Sequence, residues 1–159
     1  MLALRTILQP TDFSERSESA FRLACALARD YGARLVILHV AAPQVTAYGD
    51  MVAPVPLAVT YRELKEKLLT LQGPNSQVHV EHRLEEGDPV GEILRVAGEI
   101  RCDLIVMGTH GRRGLSRLLM GSVAEQVVRR ANCPVVTVKT PFPESIPAPD
   151  SATQEVVGV

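Results

Sequence analysis

The sequence predicts an open, mostly parallel α/β sheet of five strands with four helices on its two faces. Three observations carry this. Short apolar runs such as Leu35-Val36-Ile37-Leu38 are nearly continuous, as strands covered on both faces require. Segments with apolar residues at helical spacing alternate with those runs, the order of consecutive βαβ units. The length of 159 residues suits one domain, because a chain of that size buries roughly 68–70% of its unfolded surface around a single core.

Leu4 to Gln9, stopped by Pro10, is the first strand. Asp12 and Ser14 are two candidate N-caps for a helix, Asp12 standing at capping-box spacing from Glu15. Ala20, Phe21, Ala24, Leu27 and Ala28 then recur at helical spacing, and Gly32 ends that helix. Arg34 to Val40 is the second strand. Pro43, Gly49, Pro54 and Pro56 predict a long irregular loop over Ala41 to Pro56, a candidate lid.

Leu57, Tyr61, Leu64, Leu68 and Leu71 mark the second helix, which stops at Gly73-Pro74. Gln77 to Leu84 alternates polar and apolar residues, as a strand at a sheet edge does. Asp88-Pro89 is an N-cap followed by proline at the first helical position, leading a third helix with Val90, Ile93, Leu94 and Ala97 inward. Cys102 to Met107 is a buried strand. Ser122 and Glu125 read as a capping box for the last helix, and Pro134 to Lys139 is the last strand. Residues 141–159, rich in proline and then in small and polar residues, read as a flexible tail to a domain of residues 1–140.

Composition excludes several function classes. Seventeen Lys+Arg against 18 Asp+Glu give a net charge of -1, which argues against nucleic-acid binding through bulk charge. Aromatic residues are 4% of the chain and Trp is absent, so stacking platforms for single strands are not expected. Cys25, Cys102 and Cys133 are odd in number, far apart in sequence and without Cys-x-x-Cys, which predicts neither a disulfide framework nor zinc. Cys25 and Cys133 read as small core residues, and Cys102 has no partner in sequence that suggests redox chemistry. His79 and His82, three apart on a strand, point to opposite faces and predict no metal site. The first residues hold too short an apolar run for a signal peptide, and no stretch approaches the roughly 20 apolar residues of a membrane span. A cytoplasmic protein without membrane contact is expected.

Ligands of open parallel sheets bind beyond the carboxyl ends of strands. Two segments leave such ends with unusual composition. Pro10-Thr11-Asp12 follows the first strand, and Gly108-Thr109-His110-Gly111-Arg112-Arg113-Gly114 follows the fourth and leads on to Gly121-Ser122 where a helix begins. Glycines permit close backbone approach, and a helix start presents N–H groups and the positive end of a dipole. Between Gly108 and Cys133 five arginines (112, 113, 117, 129 and 130) stand against Glu125 alone, a local charge of +4. These are the parts of a phosphate site. They also fit turn glycines, solvated arginines and a serine that only caps its helix. The glycine spacing is neither that of a Walker A loop nor that of the dinucleotide fingerprint.

Gly108, Gly111 and Gly121-Ser122 match the Gly-x2-Gly-x9-Gly-Ser/Thr motif, and the chain thereby resembles the ATP-binding branch of the universal stress protein family. Ile7-Leu8-Gln9-Pro10-Thr11-Asp12-Phe13-Ser14, His39-Val40 and Asn132-Cys133-Pro134-Val135 carry the likeness across residues 1–140. Gln9 departs from the family's pattern without touching the binding positions. The resemblance implies a flavodoxin-like fold of the adenine nucleotide alpha hydrolase kind, with strand order 3-2-1-4-5. It also implies ATP, with Mg2+ as an accompanying ion, at the sheet's carboxyl edge.

By the same resemblance, Pro10, Thr11 and Asp12 line the adenosine, Asp12 accepting from the ribose hydroxyls, and Val40 flanks the adenine. Gly108 and Gly111 bring N–H groups to the phosphates beside Arg112, Gly121 and Ser122 complete the cradle, and Met107 and Val123 flank it. His110 contacts phosphate or orients a water on one reading and is solvated or backbone-bonded on the other, which is preferred. No residue is assigned a catalytic role, because no Walker B acid or dedicated magnesium ligand set is present. The expected function is a nucleotide-dependent stress-response regulator with at most slow or partner-dependent ATPase activity. The alternatives are a slow ATP hydrolase and an interaction protein that uses no nucleotide. An edge position for the last strand, Pro134 to Lys139, predicts a homodimer.

Overall fold

The structure, a computed structural model, describes residues 3–42, 45–48, 51–54, 57–73, 78–109 and 121–139. The elements in chain order are β1 (Thr6–Pro10), α1 (Glu15–Tyr31), β2 (Arg34–Ala41), β3 (Val45–Tyr48), β4 (Met51–Pro54), α2 (Leu57–Leu69), β5 (Val80–Glu86), α3 (Pro89–Glu99), β6 (Leu104–Gly108), α4 (Ser122–Arg130) and β7 (Val135–Val138). Tail residues 141–159, together with His110, Gly111 and Arg112, lie outside the described residues. No helix among the described residues is long and apolar enough to cross a membrane.

Five strands pair in the order β5-β2-β1-β6-β7, every neighbouring pair parallel. Numbered among themselves these are 3-2-1-4-5, the order expected. The chain starts in the centre, builds outward through β2 to β5, then crosses to β6 and builds the other way. A crevice opens at the carboxyl ends of β1 and β6, where that direction reverses.

Alternation along the strands explains the two layers of helices. Ile7, Leu35, Ile37 and Val106 face Ala20, Ala24 and Ala28 of α1 and Leu68 of α2. Leu8, Val36, Leu38, Ile105 and Met107 face Val90, Ile93 and Val96 of α3 and Ala124 and Val127 of α4. Successive residues of one strand thus belong to opposite cores, which is why the runs read as continuously apolar. The two edge strands are the exceptions: β5 is half-buried up to the exposed Glu86, as its edge position and alternating sequence predict, and β7 exposes Val136.

Caps refine the helix boundaries. Gly32 closes α1 in the left-handed region at φ 62°, where a side chain would be strained. Of the two candidate caps of α1, Ser14 is the one used, its hydroxyl accepting from Ser17 N at 3.3 Å. The pairing of Asp12 with Glu15 does not form; Asp12 Oδ1 accepts instead from Ser14 N at 3.0 Å and tightens the loop ahead of the cap. Asp88 caps α3 as expected, its carboxylate accepting from Gly91 N at 2.8 Å with Pro89 in the first turn.

Two further expectations are corrected. Residues 41–56 are not an irregular loop throughout: β3 and β4 form an antiparallel ribbon with Val45 opposite Pro54 and Tyr48 opposite Met51. Val45-Thr46-Ala47-Tyr48 has strand composition, and the dipeptide Gly49-Asp50 between the arms is a hairpin signal that the flanking prolines obscure. Ser122 and Glu125 do not form a capping box. The N-cap of α4 is Gly121, with extended backbone at φ -60° and ψ 150° and no side-chain bond. Ser122 is already the first helical residue, and a capping hydroxyl must stand one position earlier.

Candidate functional site

The crevice at the switch point is a cavity of about 520 Å³. Its floor is the carboxyl ends of β1, β2 and β6, and its walls are the N-terminal turns of α3 and α4. Every expected binding residue that the structure describes lines it: Pro10, Thr11 and Asp12 after β1, Val40 on β2, Met107 and Gly108 on β6, and Gly121, Ser122 and Val123 at the start of α4.

Hydrogen bonds fix the loop after β1 on both sides. Thr11 N donates to Leu38 O at 2.8 Å, holding the loop to β2. Thr11 Oγ1 accepts from Phe13 N at 3.1 Å and lies 3.0 Å from Ser17 Oγ. Ser17 has one hydroxyl proton and donates it to Ser14 O at 3.0 Å, so Thr11 is the donor between the two hydroxyls. His39 lies 2.8 Å from the Thr11 carbonyl through Nδ1, and a carbonyl only accepts, so Nδ1 carries the proton. The His39 ring also packs against Phe13, centroids 4.5 Å apart, and Lys67 of α2 places its ammonium 4.6 Å over the same phenyl ring. Phe13 is held at φ 63°, a left-handed conformation costing a side-chain-bearing residue roughly 1–2 kcal/mol. The surrounding bonds impose this strain beside a cavity, where strained residues concentrate.

Opposite this loop stands the N-terminus of α4. α1 and α3 are capped by side chains, whereas among the described residues no side chain caps α4, and Gly121, Ser122, Val123 and Ala124 all line the cavity. The first-turn N–H groups and the positive end of the helix dipole are therefore presented at the crevice. Gly121 N donates to Thr109 O at 2.6 Å, so β6 and α4 are joined where they meet the site. The remaining walls, from Leu38, Val40, Ala42, Pro89 and Ile93, are apolar. The arrangement accommodates an elongated ligand with a flat apolar part at the β2 end and an anionic part at α4.

Comparison with known proteins agrees with the fold. The model of the universal stress protein family matches residues 3–139. The chain belongs to the universal stress protein family. A universal stress protein of Methanocaldococcus jannaschii is 34% identical over 146 residues, covering 88% of this chain and 85% of the relative. A Burkholderia pseudomallei member superposes with a TM-score of 0.69 at 32% identity over 88% of this chain and 99% of that one. The universal stress protein from Archaeoglobus fulgidus in complex with dAMP superposes with a TM-score of 0.60 at 26% identity, covering 87% and 100%.

Several wall residues of this universal stress protein escape a sequence reading. Pro89 and Ile93 sit on α3, and only the crossover from β5 over β2 and β1 to β6 carries that helix to the crevice. His39 and Ser17 act through the Thr11 loop, and their contacts are visible only in three dimensions. The local charge of +4 is likewise not all at the site: Arg129 and Arg130 end α4, roughly 10 Å along the axis from Ser122, and Arg129 pairs with Glu125 at 2.8 Å. No group of three or more His, Cys, Asp or Glu among the described residues could hold a metal ion.

Proposed function

We propose that this universal stress protein binds ATP in the switch-point cavity and acts as a nucleotide-dependent regulator of a stress response. One observation carries the reading: α4 opens with glycine at its N-cap, and with no side-chain cap among the described residues, onto a cavity whose far wall is apolar. A phosphate chain would meet the N–H groups of the first turn of α4, and a purine would lie against Val40, Ala42 and Ile93. The A. fulgidus complex with dAMP supports an adenylate as the ligand class.

In this reading Pro10, Thr11 and Asp12 flank the adenosine, Asp12 accepting from the ribose. Gly108 and Gly111 offer backbone N–H groups, Arg112 pairs with phosphate charge, and Gly121 and Ser122 close the cradle between Met107 and Val123. ATP supplies the negative charge to which these groups respond, accompanied by Mg2+. Asp12 is the one carboxylate lining the cavity among the described residues, and it accepts from Ser14 N. That favours a binding switch over an efficient hydrolase.

Titration calorimetry with ATP and AMP tests the reading on wild type and Gly121→Val. The backbone of Gly121 is extended, so valine is tolerated there and a lost affinity reports obstruction of the site rather than strain. Equal affinity in the two proteins sinks the assignment. ADP released by pure protein would favour the hydrolase, and absence of micromolar binding the nucleotide-independent interaction protein.

The proposal extends to assembly. β7 is an edge of the sheet and Val136 is 36% exposed on it, so a second copy pairing across Pro134 to Lys139 would cover unpaired backbone. The working unit is then a cytoplasmic homodimer of residues 1–140, with 141–159 as a tail. Sedimentation equilibrium showing only monomer at tens of micromolar would remove this part.

A further inference from the structure

Far from the nucleotide cavity, at the amino ends of β6 and β7, topology brings together two cysteines that sequence separates. Cys102 stands two residues before β6 and Cys133 two residues before β7. The strands pair with Ile105 opposite Val135, and Ile105 N donates to Pro134 O at 3.0 Å, so the segments entering them run side by side. Both side chains are half-buried against the same core cluster beneath α3 and α4, and each thiol shifts the ionisation of the other. Cys102 Sγ also lies 3.0 Å from Leu104 O, which aims its sulfur along the β6 entry.

We propose that Cys102 and Cys133 are a dithiol–disulfide pair, an oxidation site at which a peroxide staples the entry of edge strand β7 to that of β6. Cys133 reacts first. Burial pushes the Cys102 thiol up to about 12 and raises Cys133 less, leaving Cys133 the greater share of reactive thiolate. The Cys133 thiolate attacks one oxygen of hydrogen peroxide, the O–O bond breaks, and hydroxide leaves with a sulfenic acid on Cys133. Cys102 then attacks the Cys133 sulfur, the S–O bond breaks as the S–S bond forms, and the leaving oxygen departs as water. In sum, two thiols and one peroxide give one disulfide and two waters.

Both thiols are raised, so the pair closes under sustained oxidant rather than at peroxidase speed. Cys25 is an internal control. It is 3% exposed in the opposite core and burial pushes it up to about 12, so it stays reduced.

The full-length protein is treated with hydrogen peroxide, quenched with catalase, alkylated after unfolding and mapped by mass spectrometry. The expected product is a monomer with Cys102 linked to Cys133, Cys25 alkylated, and the link reversed by dithiothreitol. Its thermal midpoint should exceed that of the reduced protein and return on reduction. In Cys102→Ser, Cys133 should instead accumulate sulfenic and sulfinic acids. Independent over-oxidation of the two cysteines in the wild type, or links only between chains, would overturn the proposal. The wild-type map alone decides, so the outcome does not depend on the variant folding.

Discussion

A Cβ built on Gly108 would stand 3.0 Å from the carbonyl carbon of Arg16 and 3.1 Å from its oxygen. The backbone of α1 thus rests directly on the end of β6. The stripe Ala20, Ala24 and Ala28, each at most 1% exposed, lets the rest of the helix approach the sheet as closely. The glycine requirement at position 108 therefore comes from packing, whatever its N–H contributes to a ligand.

Gly108→Ala should destabilise the fold by about 1–3 kcal/mol, because neither backbone can yield without shifting α1. Gly98→Ala is the matched control: its Cβ meets nothing within 4 Å and its helix gains about 0.5–1 kcal/mol from the lower entropy of the unfolded chain. Urea unfolding of both variants measures the contrast. Loss of the same size in both would show that α1 is not seated on Gly108.

Gln9 is fully buried at the end of β1, with Nε2 donating to Pro10 O at 2.8 Å and to Ser17 O at 3.3 Å. Its Oε1 has no hydrogen-bond partner among the described residues. Gln9→Leu removes a useful donor and an unsatisfied acceptor together, so the two effects offset and the change should stay within about 1 kcal/mol in denaturant unfolding. A loss above about 3 kcal/mol would mean that Gln9 anchors the start of α1 far more strongly than two bonds to carbonyls suggest.

How legible the site was follows from the same residues. Pro10, Asp12, Gly121 and Ser122 could be found because strand ends and helix starts leave local marks: a proline after an apolar run, a glycine-serine pair before helical spacing. Thr11 lines the cavity, as its place after β1 predicts, and its hydroxyl also anchors α1 through Ser17. Pro89 and Ile93 could not be found, because nothing local says that α3 crosses over the sheet to the crevice. The β3–β4 ribbon was hidden for the opposite reason: its four-residue arms are short and its prolines read as breakers. Strand order followed from family resemblance, since hydrophobic period alone fixes which residues are buried and not which strands are neighbours.

Edge strand β5 is tied to α3 by charge. Arg83 pairs with Glu85 at 2.7 Å and with Glu99 at 3.0 Å, while Arg95 reaches Glu85, Glu92 and Glu99. Hydrogen bonding from the Arg83 guanidinium, helped by its charge, holds the Glu99 carboxyl below its ordinary range. A carboxyl lowered in the folded state adds stability above its unfolded value, near 4.3, and that stability is lost as pH falls through the lower folded value. Glu99→Gln should therefore lower the urea midpoint at pH 7 and converge on wild type in acid. Glu99 faces solvent, so added salt should narrow the gap at pH 7. Parallel pH profiles would exclude this pair as a source of acid sensitivity.

Thr11 and Ser17 give the sharpest test of how the loop is held. The Thr11 hydroxyl accepts from Phe13 N and donates to Ser17 Oγ, which donates in turn to Ser14 O. Thr11→Val leaves the Phe13 N–H beside an apolar group, and Ser17→Ala leaves the Thr11 proton without its acceptor, so each should cost about 1–3 kcal/mol. In the double variant both ends of the broken bond are gone, and its cost should fall short of the sum by at least about 0.5 kcal/mol. Phe13 is held at positive φ by these bonds, so Thr11→Val should also release the loop that carries Asp12 and weaken ATP binding more than Ser17→Ala does. Additive costs would mean that the hydroxyls are neighbours and not a chain. Unchanged affinity in Thr11→Val would place the ligand's contacts elsewhere in the cavity.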